Sequence, residues 1–498
     1  MNTSAVTLVP ISRVRGPFCR CIKGITASLT VLIGSAAMAD TYYVDVDWTG
    51  ASHGTAEYPF KTLEAAAAVF AEGDRNVVKV AGGVYKSEAV GGSEDFGGEG
   101  YNLNGKNGRW IGGYVGWKGE DVFDWRDKTR TLPDAEDMDE EKMTIVDLSK
   151  ANSRAFRLNA YNVDTDFDGF LFRNAKIAKE NYPGGALVLR GGMGASEVFN
   201  CVFLNNETTG EGGGLYHSGR GGTSKNCTFI GNRGSNGGGA SMHPGNSEQG
   251  IVNFTFINNR ATGNGGGLYV PTQTVNVYDS LMRNNEAENL GGGISTGGAI
   301  KLYKCEITGN KAANGAGFGF SGHSGANVLM QNCLVADNQG TNEDAIAILL
   351  AANRGGSLAL RHVTVAGNKT PGGAVKTSGT RVEVRNTILA GQGGGIGIES
   401  DDGDAVIEYN NIAGFVRPVR GGVSASRTLI YDPPRFVDPE SGKYRITVAS
   451  PSSNAGTDIG VETDINGNPR PYSDKDPGVD MGCYEDPRAP RDTILFIK

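Results

Sequence analysis

At 498 residues the chain is too long for one compact core, so it needs either several domains or one extended repetitive body. Glycine, at 76 residues, is about twice its ordinary share, yet 20% of residues are charged and no three-residue period appears, which excludes a disordered chain and a collagen-like one. The net charge of −8 argues against a nucleic-acid partner.

In chain order, residues 1–39 read as a secretory signal. Arg13, Arg15, Arg20 and Lys23 form a basic leader, Ile25 to Ala37 is apolar but short for a membrane span, and Ala37-Met38-Ala39 fits a small-x-small cleavage site. The mature chain is expected to begin at Asp40, with 43 basic against 55 acidic residues, a balance of −12. No later segment is apolar enough to span a membrane, the closing "DPRAPRDTILFIK" included.

Residues 40–149 read as a cap leading into the first coils. Tyr42 to Val46 alternates like a strand. Phe60, Leu63, Ala67 and Phe70 form a helical stripe, with Thr62 as candidate N-cap. "VVKVAGGVY" and "RWIGGYVGW" are strand-like, and the acidic run from Asp134 reads as a solvated loop. In "DTDFDGF", Asp164, Asp166 and Asp168 alternate and would share one face of a strand. They are candidate calcium ligands. The simpler reading has Asp168 capping a turn, since calcium takes six or more oxygens and few are visible here. "SDDGD" at Asp401, Asp402 and Asp404 reads as an acidic turn.

Residues 150–430 repeat. Asn206, Asn232, Asn259, Asn285, Asn310, Asn338 and Asn368 recur in the same local pattern, and the first five span 104 residues in four steps, a mean of 26. Each repeat carries short β-favouring runs, no helical period, and usually a run of glycines such as Gly265 to Gly267. The expected fold is therefore all-β: a single-stranded parallel β-helix with counterpart residues stacked one coil apart. The marker asparagine is expected at the turn out of a strand, in the left-handed conformation, with its amide in a ladder along the stack. The glycines restart the next strand where conformation is special or coils come close.

Cys201, Cys227, Cys305 and Cys333 each precede a marker by five residues, a slot filled elsewhere by Phe254, Ser280 and Val363. They read as buried packing thiols, with vertical disulfides as the competing reading. No cysteine pattern suggests zinc. His217 and His243 lie one period apart, with Arg220 nearby, and are the candidate glycan-contacting residues; a solvated loop edge is the plainer reading. His323, in "SGHSG", lacks companion aspartates and is set aside.

Residues 431–498 form a distinct tail. "YYVD…GTAEYPFKTLEAAA" with "IGGYVGW" resembles the start of bacterial secreted, pectate-lyase-like right-handed β-helix proteins, and the repeats resemble those of polymorphic outer-membrane-type proteins. "RFVDPESGKYRI", "SPSSNAGTD", "DINGNPRP" and "VDMGCYE" resemble the choice-of-anchor Q domain, with Asn454 and Cys483 departing from its usual Asp and Ala. The resemblance implies a right hand and an exported, surface-associated or secreted protein. The expected role is glycan or surface contact; the alternative is a polysaccharide lyase or glycoside hydrolase. The expected partners are polysaccharides or cell-surface glycans. No cofactor is required by this reading, calcium being the one candidate, and no catalytic set is recognisable.

Overall fold

The computed structural model describes residues 40–486, except 70–74, 87–100, 104–105, 118–122, 151–152, 160–162, 179–181, 192–193, 221, 246–247, 321, 323–324 and 473–477; side chains of 352–354, 402–404 and 423–426 are likewise not described. The expected leader, Phe70, His323 and the side chains of Asp402 and Asp404 therefore lie outside the described residues. The body is an all-β parallel solenoid with very little helix. Each coil carries up to four strands. In one coil these are Leu215–Gly219, Thr223–Lys225, Thr228–Ile230 and Arg233–Gly234. Each pairs in parallel with its counterpart above and below, so Leu215 sits between Leu187 and Ala240. The stack starts early, with Asn76–Ala81 on Gly108–Tyr114 and that on Thr165–Asp168. From Asn206 to Asn368 the markers cover 162 residues in six steps, 27 per coil.

The core is a set of columns. Phe172, Phe203, Phe229 and Phe256 stack through four coils with ring centroids 5.4, 4.6 and 4.8 Å apart. Met282, Ile307 and Val335 continue the same column. Each side chain is fully buried, a gain of about 2 kcal/mol or more apiece that only stacking provides, because a lone coil would leave both flat sides wet. The helix Leu63–Val69 closes the N-terminal end, and the Thr62 hydroxyl accepts from the Ala65 amide as its cap.

The marker asparagines form a continuous ladder, buried from Asn206 to Asn338 and half-buried at Asn368. Each Nδ2 donates to the next coil's Oδ1, from Asn206 to Asn368, at 2.9–3.0 Å. The same Oδ1 accepts the preceding marker's backbone N–H, as Asn232 Oδ1 does from Asn206. The second Nδ2 hydrogen goes to a core carbonyl, for Asn206 that of Phe172. The interior rungs thus have every amide donor and acceptor used, which is what tolerates a polar column in an apolar core. The left-handed residue, however, is not the marker but the one before it: Asn205 (φ 53°), Gly231 (64°), Asn258 (55°) and Asn284 (55°). The chain turns at that residue so that the next side chain can point inward. A second left-handed corner falls at Asn200, Asn226, Asn253, Asp279, Lys304, Asn332, His362 and Asn386.

The slot after that second corner explains the cysteines. Cys201, Cys227, Cys305 and Cys333 are buried, unbridged thiols. Cys227 Sγ lies 3.4 Å from the carbonyl of Lys225, two residues earlier, and Cys333 Sγ 3.3 Å from that of Gln331. Ser280 and Thr387 make the same bond with hydroxyls, at 2.7 and 3.1 Å. Six of these eight positions therefore hold a small side chain that can donate to a carbonyl at the corner, while Phe254 and Val363 fill the slot with hydrocarbon alone.

After the last coil strand, Arg417–Ile430, the chain turns back along the outer flank of the later coils. Cys483 N–H donates to Thr364 Oγ1 at 3.0 Å, Gly482 N–H to the Asn386 carbonyl at 2.7 Å, and Asn411 Nδ2 to Ser452 Oγ at 2.8 Å. Tyr444 and Cys483 bury Leu334, Ala336 and Ala366, while Ile446 and Met481 cover Ile388. Within this segment Arg470 and Glu485 form an ion pair of 2.7 Å, both side chains within 1% of fully buried.

Candidate functional site

The first-strand column presents its outward residues along one face of the solenoid. Leu215–Gly219 alternates in and out: Leu215 and His217 point in, Tyr216 and Ser218 out. The step to the next coil at this strand is 25 residues, Leu215 facing Ala240, so the 26-residue spacing of the two histidines places them on opposite faces. His217 pairs with Met242 and His243 with Ser218.

His217 is buried. Its Nε2 donates to the Ser196 carbonyl at 2.7 Å and its Nδ1 accepts from Gln249 Nε2 at 2.7 Å, and burial holds its pKa below the usual histidine value. It is a satisfied, neutral core histidine and is not available to a ligand. Arg220 is exposed beyond the strand end, and among the described residues it joins no ion pair with His243.

His243 faces outward with partners that the spacing did not indicate. Its Nε2 lies 2.7 Å from Glu211 Oε2 and 2.9 Å from Ser241 Oγ. Glu211 comes from the loop of the coil before and also accepts from Ser241 and Asn236, at 3.1 and 3.3 Å. Burial alone would raise the Glu211 pKa, but the bonds from His243, Asn236 and Ser241 outweigh it and hold the carboxylate below its ordinary value. The imidazole ring sits between Tyr216, centroids 4.8 Å apart, and Tyr269, 6.5 Å. The Arg190 guanidinium lies over the other side of Tyr216, 4.9 Å from its centre. Arg190, Tyr216, His243 and Tyr269 thus form a row of planar groups over four successive coils. Serine and carboxylate meet the same imidazole nitrogen, so the cluster is not a nucleophile relay, which needs one partner on each nitrogen. What it offers is ring faces for stacking, a carboxylate acceptor and an imidazole. The sequence signal for Glu211 was a lone acid immediately before the glycines Gly212 to Gly214.

Asp166 and Asp168 lie on the strand Thr165–Asp168 and Asp164 just before it, but the three do not assemble a cation site. Asp168 is taken up by Arg109 at 2.7 Å, Arg130 at 3.1 Å and Asn200 Nδ2 at 2.8 Å. Asp164 Oδ1 accepts the Ala195 N–H at 2.6 Å and Asp166 Oδ1 the Glu197 N–H at 2.9 Å. Two guanidiniums where calcium would sit oppose it electrostatically, and among the described residues no three His, Cys, Asp or Glu side chains are placed to hold a metal. Burial lifts the Asp166 pKa to about 6.

Comparison with known proteins is consistent with the architecture. The model of the right handed beta helix region matches residues 246–414, and that of the Chlamydia polymorphic membrane protein repeat matches residues 200–218. Among solved structures the chain is similar to pectate lyase Pel9A, at 12% identity over 90% of this chain and 97% of that one, with a TM-score of 0.40. A rhamnogalacturonan lyase follows at 14% identity, 80% and 91% coverage and TM-score 0.31. The GH136 lacto-N-biosidase from Eubacterium ramulus stands at 11%, 79% and 68%, and 0.30. No curated protein matches. The described body is thus a parallel β-solenoid that carries a right handed beta helix region at residues 246–414 and, at residues 200–218, a stretch similar to a polymorphic membrane protein repeat.

Proposed function

We propose that this protein is an exported β-helix scaffold that contacts glycans through the outward face at Tyr216, His243 and Tyr269. The observation that carries the reading is the row of rings on successive coils, flanked by Glu211 and Ser241. Sugar rings stack their C–H faces on such aromatics, and their hydroxyls donate to such carboxylates. The expected leader and the choice-of-anchor-like tail support surface placement. Among the described residues no helix is long and apolar enough to cross a membrane. On a glycan array the protein is expected to bind, and Tyr216→Ala or His243→Ala to weaken that binding about fivefold to tenfold with melting unchanged. No binding to any glycan at high protein concentration would sink the proposal.

A polysaccharide lyase or glycoside hydrolase is the second reading, favoured by the 2.7 Å His243–Glu211 pair on the partly exposed outward face. It requires product from uronate polymers or neutral glycans, seen as absorbance of unsaturated ends or new reducing ends. Silence on both counts, with and without calcium, removes it.

A further inference from the structure

The asparagine ladder ends in an unfinished, half-buried rung at Asn368, and the repeat shows what is missing. At every earlier rung one oxygen, the next Oδ1, accepts both the backbone N–H and an Nδ2–H of the asparagine before it, each at 2.9–3.0 Å. Asn368 accepts these two bonds from Asn338 and spends one Nδ2 hydrogen on the Val335 carbonyl at 2.9 Å. No next oxygen follows among the described residues. Ala366 pairs with Ala390, so Gln392 is the residue in register with Asn368, and Gln392 is exposed.

The cause is a shortened coil. Nine residues separate Ala336 from Ile346, six separate Ala366 from Gly373, and five, "GQGGG", separate Ala390 from Ile396. The fourth short strand has room at Gln339–Gly340, shrinks to a single bridge at Lys369, and has no counterpart in the next coil among the described residues. The left-handed corner moves from Gly367 (φ 66°) to Gly393 (φ 89°), so the chain cuts inside the turn and leaves a cavity of about 290 Å³. Asn368, Lys369, Pro371, Gln392 and Phe415 line it, and no acidic residue does. Lys369 is exposed at its rim and has no ion pair among the described residues.

We propose that this open ladder end binds a carboxylate carried on a compact ligand of about one sugar ring. One carboxylate oxygen takes the position of the absent Oδ1, accepting from Asn368 N–H and Nδ2–H. Lys369 supplies the charge that favours a carboxylate over a neutral carbonyl. Phe415 and Pro371 give the ring an apolar wall, and Gln392 a polar one. The cavity is at the small end of the size range for ligand sites, which suits one ring and not a chain. The site is separate from the Tyr216–His243 face, and the inference does not depend on that reading.

Calorimetric titration of the full chain with D-glucuronate, D-glucose, acetate and N-acetylglycine tests it. Glucuronate is expected to bind, more tightly than acetate or N-acetylglycine, and glucose not to bind. Lys369→Ala should weaken glucuronate about tenfold, the loss of one charge-assisted contact. Gln392→Asn should complete the ladder and abolish binding while holding or raising the melting temperature. His243→Ala should change nothing here, whatever it does to glycan-array binding. Equal binding of glucose, N-acetylglycine binding as tightly as glucuronate, an unaffected Lys369→Ala variant, or no heat up to about 10 mM glucuronate would each overturn the proposal. If Gln392→Asn does not fold, Lys369→Ala decides.

Discussion

Two stretches of the solenoid use the same strand and the same corner for opposite ends. In the coils from Asn226 to Ala312 the outer flank of the third strand is at least partly open to solvent, and its residues include Thr228, Thr255, Arg283, Glu306 and Thr308. In the coils from Asn332 to Ala413 the equivalent positions are Leu334, Ala336, Ala366 and Ile388, and the C-terminal segment covers them. The corner asparagines follow suit. Asn226 and Asn253 bond amide to amide along the exposed edge, Nδ2 to Oδ1 at 2.9 Å. Asn332 and Asn386 instead donate to the carbonyls of Thr463 and Thr457, both at 2.7 Å. A left-handed corner chooses asparagine for its backbone, and what its amide then bonds depends on what lies over it. Covering a flank makes a corner residue part of a core.

This contrast has measurable consequences. The largest effect is expected inside, where both regions share one ladder. Asn259→Ala removes the acceptor for Asn232 N–H and Nδ2–H and the donors to Phe229 and Asn285, and should cost about 4 kcal/mol in urea unfolding. A loss below about 1 kcal/mol would mean the ladder is decoration. The corner column gives the direct comparison. Asn386→Gly strips two bonds to Thr457 and one to His362 from a buried site, for about 2 kcal/mol. Asn226→Gly, equally left-handed but exposed, should cost about 0.5 kcal/mol. Equal losses would refute the claim that the covering segment changes the role of the corner. The pH-dependent case is Asp166, on the strand Thr165–Asp168 near the N-terminal end. Its folded pKa of about 6 lies above the unfolded value near 3.8, so the folded state holds the proton more tightly. The stability this contributes is full below pH 3.8 and is lost as pH rises through 6. Asp166→Asn keeps an acceptor for the Glu197 amide, so melting should match wild type at pH about 4 and rise above it at pH about 8. The opposite trend would show that Asp166 is stabilised as an anion.

Much of the fold is legible along the chain, because stacking requires counterpart residues to repeat. The marker asparagines, the glycines that follow them and the Cys/Phe/Ser/Val slot announce the coil length. The glycine reading holds in detail. Gly212 is left-handed (φ 72°), and a Cβ on Gly213 would stand 2.1 Å from the carbonyl oxygen of Gly238 in the next coil. The candidate site was legible only in part. His217 and His243 are visible as a pair one period apart, but the 25-residue step at their strand separates them, and only pairing register reveals that. Glu211, the partner that gives His243 its geometry, lies in the variable loop, where no period operates. Likewise neither the turn-capping nor the calcium reading of Asp168 foresaw Arg109 and Arg130, 59 and 38 residues earlier in the chain, beside it.

What the amino-acid order determines alone is the local and periodic part: short strands, turn residues, a coil near 26 residues and an interior column that tolerates asparagine. Those follow from backbone conformation and from the rule that buried amides must be paired. What only the tertiary structure decides is which side of each strand is covered, where the ladder stops and which charges meet. These depend on register shifts of a single residue, on a coil shortened to five linking residues and on a tail folding back across the flank. None of these events is periodic, so no repeat in the chain announces them.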